Sequence, residues 1–114
     1  MTRNKEIANT ILQQLGGGRF IAFTGSKDFI AIENGLQMSL ARNASKANRL
    51  KVTLNGTDTY DMEFYRYTAP RYSTRGGQFR MYPEKVTMVK EYKGIYFDQL
   101  QELFTETTGM YTYF

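Results

Sequence analysis

The chain has 114 residues, of which 41% are hydrophobic and 15% aromatic, and its 15 lysines and arginines exceed its 11 acidic residues. This length and apolar content predict one folded domain over residues 1–114 and argue against a disordered chain. The absence of cysteine and histidine excludes disulfides, thiolate metal ligands and histidine-dependent nucleophiles, and it removes the commonest zinc ligand.

The first predicted element is an amphipathic helix. Between Arg3 and Leu15 the apolar residues Ile7, Ile11 and Leu15 recur every four positions, which is the spacing of one helical face. The three glycines at 16–18 tolerate positive φ and can end this helix. We therefore expect a helix that packs against a sheet.

Strands are predicted through the middle of the chain. An early strand is expected at "RFIAFTG", residues 19–25, and two hairpins follow in "FIAIENGLQMSL" and "LKVTLNGTDTYDMEF". Apolar-rich runs stand on either side of Asn34-Gly35, with alternation in the run after it, and alternating apolar residues flank Asn55-Gly56 on both sides. Asn-Gly accepts the positive φ angles of a tight type I′ turn.

The C-terminal part adds one more strand and a second helix. "KVTMVKEYKGIY" predicts an exposed last strand, and "YFDQLQELFTETTG" predicts a helix with Gly109 as its C-cap. The fold class expected is α+β: an antiparallel meander of five to six strands with two Asn-Gly hairpins, flanked by N-terminal and C-terminal α-helices.

The stretch "FYRYTAPRYSTRGGQFRMYPEK", residues 64–85, holds the whole excess of positive charge. It has five basic residues and one acid, whereas the rest of the chain has ten of each. Residues 68–84 show no strand alternation and are predicted to form a long loop. Loops of this length in compact domains tend to be functional or disordered.

Arginine interleaved with tyrosine favours nucleic-acid binding, because guanidinium groups neutralise phosphates and aromatic rings stack on bases. Tyrosine and arginine also anchor protein interfaces, and a solvated hairpin extension is the third interpretation. The candidate contact residues are Tyr65, Arg66, Tyr67, Arg71, Tyr72, Arg75, Phe79, Arg80, Tyr82 and Lys85.

A second basic stretch, "RNASKANRLK", connects the two hairpins. Arg42, Lys46 and Arg49 are added to the candidate residues on the hypothesis that this stretch lies near the long loop. By itself it is more typical of a solvated connection. The sequence leaves open whether the two stretches form one patch.

One enzymatic alternative depends on carboxylates. Asp61 and Glu63 share a face of a predicted strand, and Glu91 and Lys93 share a face of another. Such a set could hold Mg²⁺ for hydrolysis of nucleic acid. Acid-x-Lys patterns are common by chance, and the simpler interpretation is a sheet face with cross-strand charge pairs. We therefore expect no enzyme, no cofactor and no metal site.

Three stretches resemble small, uncharacterised proteins encoded by bacteriophages and integrated mobile elements. They are "NASKANRLKVTLNGTDTYDMEFYR", "YFDQLQELFTETTGMYTYF" and "EIANTILQQLGGGRFIAFTGSKDF", and together they cover most of the chain. The chain departs from the family at residues 68–84, which are longer and more basic. The resemblance assigns no site residues. It implies an accessory role in the cytoplasm of a bacterial host.

The function expected is non-enzymatic binding of nucleic acid, or of a host nucleoprotein complex, through the basic and aromatic loop. The alternative is an anti-defence inhibitor, similar to an anti-CRISPR protein, that acts through protein contacts alone. A Mg²⁺-dependent nuclease is third. The polar N-terminus and the absence of a long apolar run predict no membrane association. Oligomeric state is left open.

Overall fold

The computed structural model describes residues 2–112 and has the expected α+β class. A five-stranded antiparallel sheet is covered on one face by helices. The helices are α1 (Thr2–Leu15), α2 (Gly17–Thr24) and α3 (Leu100–Thr108). The strands are β1 (Lys27–Ile32), β2 (Gly35–Ser39), β3 (Arg49–Leu54), β4 (Tyr60–Thr68), β5 (Arg71–Ser73), β6 (Arg80–Tyr82) and β7 (Lys85–Ile95).

The helices at the two ends form as predicted. In α1, Ile11 and Leu15 are completely buried, as their spacing requires. Helix α3 ends at Gly109, which has a φ of 76° and donates its N–H to the Thr105 carbonyl at 2.8 Å. Phe97 belongs to a short 3₁₀ turn before α3 and is exposed, so the α-helix begins at Leu100, later than the predicted segment.

The early strand predicted at residues 19–25 is wrong, because this segment forms helix α2. Phe20 is completely buried, and its ring meets the edge of the Phe104 ring at 4.9 Å. Thr24, one helical turn further on, is also buried, whereas Ile21 and Phe23 are exposed. The segment therefore buries a helical face, and this tertiary contact overrides the strand preference of its phenylalanine and isoleucine residues.

Both predicted hairpins are confirmed, but neither turn is centred on its Asn-Gly pair. Ile32 pairs directly with Gly35, so Glu33 and Asn34 form the first turn, and Asn34 takes the positive φ of 57°. The second hairpin has a longer loop, residues 55–59. There the Asn55 side chain accepts a hydrogen bond from the Thr57 N–H at 2.9 Å.

Gly35 is needed for a close approach between strands and not for its φ. A Cβ at this position would clash with the Val52 carbonyl oxygen and lie 2.8 Å from Cγ2 of Thr53. We expect Gly35→Ala to lower the free energy of unfolding by about 1–3 kcal/mol, the usual cost of overpacking. Urea denaturation measures this loss.

Gly56→Ala is the matched control, since a Cβ at Gly56 would meet nothing within 4 Å. Its stability should stay within about 0.5 kcal/mol of the parent, as for most surface changes. Equal losses in the two variants would contradict the proposed clash.

The main sheet has the strand order β1-β2-β3-β4-β7. Its helix-side face is the core, and the buried hydrophobic residues that strands contribute to it are Leu36, Met38, Leu50, Val52, Tyr60, Met62, Phe64 and Ile95. No described helix or strand covers the opposite face, which we call the open face. Strand β7 forms one edge and is mostly exposed, as predicted. Its register with β4 shifts twice, near Val89 and near Gly94, and bulges of this kind increase local twist.

Residues 69–84 extend beyond the sheet as a β-hairpin, which we call the arm. Strands β5 and β6 pair with each other, so the predicted long loop is wrong in this respect. Thr68 pairs with Lys85 and Arg71 pairs with Tyr82, so the arm continues the β4–β7 register without a slip. The molecule measures 54 × 33 × 23 Å.

Two prolines explain why the strand pairing is interrupted at the base of the arm. In the continuous register Pro70 lies opposite Pro83. Proline has no backbone N–H, so this pair cannot form ladder hydrogen bonds. The tip is a short 3₁₀ turn over residues 75–77, in which Gly76 and Gly77 have φ angles of 72° and 76°.

Candidate nucleic-acid interface

The arm separates its charged and apolar side chains onto two faces. Alternation along β5 and β6 puts Arg71 and Ser73 on the same face as Arg80 and Tyr82. With Arg75 from the tip turn, these side chains line an open cavity of about 520 Å³. We call Arg71, Arg75, Arg80 and Tyr82 the arm basic face.

No arginine of the arm basic face forms an ion pair among the described residues, and one of them, Arg71, is held by an aromatic contact. The Arg71 guanidinium lies over the Tyr82 ring at 4.6 Å from the ring centre. The Arg80 Nη2 donates a weak hydrogen bond to the Gln78 side chain at 3.4 Å. Among residues 2–112 the one salt bridge joins Lys51 to Glu63, away from the arm. The charge of these arginines is therefore available to an anionic ligand.

The other side of the arm is apolar and exposed. Tyr72 and Phe79 stack with their ring centres 5.8 Å apart, and Met81 pairs with Tyr72 across the hairpin. Each of the three is more than 60% exposed. We call them the arm apolar face. Three large apolar side chains grouped in solvent are typical of a binding surface.

The arm basic face continues onto the open face of the sheet. Tyr67 and Arg71 are four residues apart in an uninterrupted register, so both point to the same face of the ribbon. The Arg49 guanidinium lies over the Tyr67 ring at 5.4 Å, and Arg49 pairs with Tyr65 across the strands. Arg49, Tyr65 and Tyr67 line a further cavity of about 260 Å³.

Asn48 fixes the base of the arm, and sequence reasoning missed it. Its side-chain amide donates to the Tyr67 carbonyl at 2.8 Å and accepts from the Tyr67 N–H at 2.7 Å. These two bonds reproduce the pairing of a strand residue and extend the β3–β4 ladder past the start of β3. No motif in the sequence signals this contact, because it depends on the β3–β4 register.

The basic stretch that links the hairpins does lie beside the arm, but its side chains are divided between two faces. Arg49 joins Tyr67 on the open face. Arg42 and Lys46 line a different cavity on the helix side of the sheet, together with Arg66. The candidate residues therefore form two surfaces and not one continuous patch. Lys85, which pairs with Thr68 in β4, is exposed at the base of the arm.

The acidic candidates occupy the far half of the open face. Asp61 accepts a hydrogen bond from the Gly94 N–H at 3.1 Å, and Glu63 lies 3.9 Å from Lys51. Glu91 pairs directly with Glu63. Within residues 2–112, no three acidic side chains are grouped so that they could hold a metal ion. The open face thus carries Asp61, Glu63 and Glu91 at one end, whereas at the other end arginine and tyrosine predominate beside two acids, Asp28 in the cavity of Arg49 and Glu84 bonded to Tyr67.

The two tyrosines at the base of the arm have raised pKa values. Burial raises the pKa of Tyr65 above its ordinary value of 10.0, with Arg49 opposing the shift. The hydrogen bond from the Tyr67 hydroxyl to Glu84, 2.9 Å long, raises the pKa of Tyr67. Because the folded-state pKa values exceed 10.0, both rings are neutral at physiological pH. Their contribution to stability is full below pH 10, the unfolded-state pKa, and is lost as the pH rises above 10 through the raised folded-state pKa values.

We expect Tyr65 and Tyr67 to be less than half ionised at pH 10.0 in the folded protein. Carbon-13 NMR of ζ-labelled tyrosine measures this, with Tyr→Phe variants for assignment. Glu84→Ala should return the pKa of Tyr67 toward 10.0 and leave that of Tyr65 unchanged, because Glu84 accepts the hydrogen bond of the Tyr67 hydroxyl, whereas burial, Arg49 and Glu63 act on Tyr65. An unchanged Tyr67 titration in that variant would contradict the hydrogen bond.

Comparisons with known proteins add no relative. No protein-family model matches the chain, and neither the curated proteins nor the solved structures give a match. Among residues 2–112, no helix combines the length and the apolar character needed to cross a membrane.

Proposed function

We propose that the protein is a non-enzymatic nucleic-acid-binding protein whose arm basic face and adjoining open face hold a phosphate backbone and its bases. The observation that carries the proposal is the shared face of the ribbon on which arginine and tyrosine alternate. Its members are Arg49, Tyr65, Tyr67, Arg71, Arg75, Arg80 and Tyr82.

The geometry suits nucleic acid for two physical reasons. Guanidinium groups without carboxylate partners can neutralise phosphates and release their counterions. Guanidinium planes held against tyrosine rings, as at Arg71–Tyr82 and Arg49–Tyr67, offer flat surfaces on which bases can stack. From Tyr65 to Ser73 the surface extends for about 26 Å at the usual rise of a strand.

Acidic side chains set a limit to this surface. Glu63 and Glu91 lie side by side on the open face beyond Tyr65. Their negative charge repels phosphate, so a bound strand would run from the arm to Tyr65 and stop there. Because one end of the surface is acidic, nucleic acid should bind along a defined path and not over the whole sheet.

Fluorescence anisotropy with short labelled single-stranded and double-stranded DNA and RNA tests the proposal. We expect binding at low salt that weakens steeply as salt rises, since phosphate contacts release counterions. A single strand should bind best, because unpaired bases are free to stack on the tyrosines. No binding to any of these nucleic acids at low salt would contradict the proposal.

The second candidate function is protein binding, and the arm apolar face favours it. Tyr72, Phe79 and Met81 would suit a hydrophobic pocket on a partner. With the resemblance to phage and mobile-element proteins, such a partner would be a bacterial defence or nucleoprotein complex in the cytoplasm. Salt separates the two functions, because apolar interfaces do not weaken steeply as salt rises.

A further inference from the structure

A second basic cavity lies on the helix side of the sheet, where β4 leads into the arm. It is open to solvent and has a volume of about 610 Å³. Its lining includes the three cations Arg42, Lys46 and Arg66 and no acidic side chain. The interface on the arm and open face does not use these residues. We call this cavity the helix-side pocket.

Arg66 faces away from the arm interface. In β4 it is two residues from the buried Phe64, so it points to the helix side, whereas Tyr65 and Tyr67 point to the open face. Its Nη1 donates to the Lys46 carbonyl at 2.9 Å. A guanidinium has five N–H donors in a planar fork, and this bond uses one of them while fixing the fork at the pocket.

The loop that carries Lys46 is held by its own hydrogen bonds. The Asn43 side-chain amide donates to the carbonyls of Ala41 and Ala47, both at 2.8 Å. The backbone N–H groups of residues 44–48 are all bonded within the protein. A ligand in the helix-side pocket would therefore be held by side chains, and the loop presents them from a fixed backbone.

We infer that the helix-side pocket binds a phosphate group. Three cations without a carboxylate partner repel one another, and an oxyanion would relieve that repulsion. Phosphate oxygens fit the fork of arginine donors and the ammonium of lysine. The phosphate could be a diester of a nucleic acid that reaches past the arm, or a free or terminal phosphate. The inference concerns different residues from the arm interface and does not depend on it.

Nitrogen-15 NMR with inorganic phosphate tests the inference on the full chain. Titration at constant pH should give saturable shifts of the residue 44–47 amides and of the Arg66 Nε, whereas chloride at equal ionic strength should not. Arg66→Gln should weaken phosphate binding by about tenfold or more, as expected on loss of a charged hydrogen bond. Lys46→Gln provides a second variant if the first fails to fold. Shifts no larger than those with chloride, or full binding in the folded variants, would overturn the inference.

Arg3→Gln is the matched control, because it removes the same charge from an exposed position on α1 that belongs to neither basic surface, and it should leave phosphate binding unchanged. Weakening equal to that of Arg66→Gln would mean a general charge effect and would overturn the inference.

Oligonucleotides with and without a 5′-phosphate distinguish the two sources of the phosphate group. Pocket shifts with both indicate a backbone phosphate, and shifts with the phosphorylated one alone indicate a terminal phosphate. If neither oligonucleotide shifts the pocket resonances, the phosphate groups of nucleic acid are excluded as ligands. Inorganic phosphate would then be the ligand, as established by the titration.

Discussion

Reversing the charges of Arg71, Arg75 and Arg80 to glutamate should reduce affinity for single-stranded nucleic acid by about 10³-fold or more at low salt. All three line one cavity on the arm, and no carboxylate neutralises them there. Each glutamate removes a phosphate contact and adds a repulsion. Fluorescence anisotropy, with circular dichroism to confirm the fold, measures the effect.

A control variant with the same change in net charge distinguishes a specific binding site from a general effect of the protein's net charge. Arg3→Glu, Lys5→Glu and Arg19→Glu reverse three exposed cations on α1 and α2. This control should retain affinity within about tenfold of the parent, because the three cations lie on the helices and outside both the arm and the open face. If both triple variants lose binding equally, the arm is not the site and only the positive charge of the whole protein attracts nucleic acid.

Phe104→Ala should lower the free energy of unfolding by about 3–5 kcal/mol, the usual cost of removing a buried phenylalanine. Phe104 is completely buried in α3 and joins two other elements. Its ring centre is 4.9 Å from that of Phe20 in α2 and 6.1 Å from that of Phe64 in the sheet. Domains are typically stable by only about 5–15 kcal/mol, so the variant should be close to unfolding. Urea denaturation gives the value.

Phe97→Ala is the corresponding control, since Phe97 is close by in sequence but 60% exposed. We expect its stability to stay within about 0.5 kcal/mol of the parent. A cost at Phe97 as large as that at Phe104 would mean that Phe97 has a buried contact in the folded state. A small cost at Phe104 would mean that α3 does not depend on this aromatic cluster.

Helix α1, the two hairpins and helix α3 follow from local patterns in the sequence. Their apolar residues recur with the period of the element, and Gly109 caps α3 at the predicted place. The same patterns were misleading at Phe20, where a phenylalanine-rich segment favoured a strand. Its burial against Phe104, far away in the chain, made the segment a helix, and local propensity contains no information about that contact.

The strands of the arm are too short to be predicted from the alternation of apolar and polar residues. Strands β5 and β6 have three residues each, which is too short for alternation to be noticed between Pro70 and Pro83. Yet the sequence contains a hairpin signal, since "RYS" and "RMY" lie on either side of the Gly76-Gly77 turn. The clustering of arginine and tyrosine in the sequence predicts the candidate residues. Their division into two surfaces, with Arg49 on one and Arg66 on the other, became visible only from the register.

The most direct test of the account is to map where a short single-stranded oligonucleotide touches the protein. Nitrogen-15 NMR of backbone amides and arginine Nε groups, recorded during a titration, gives that map. The account predicts the largest shifts at Arg49, Arg71 and Arg80 and little change around Glu63 and Glu91. Shifts concentrated on helices α1 and α2, or absent at a concentration well above that of the protein, would contradict it.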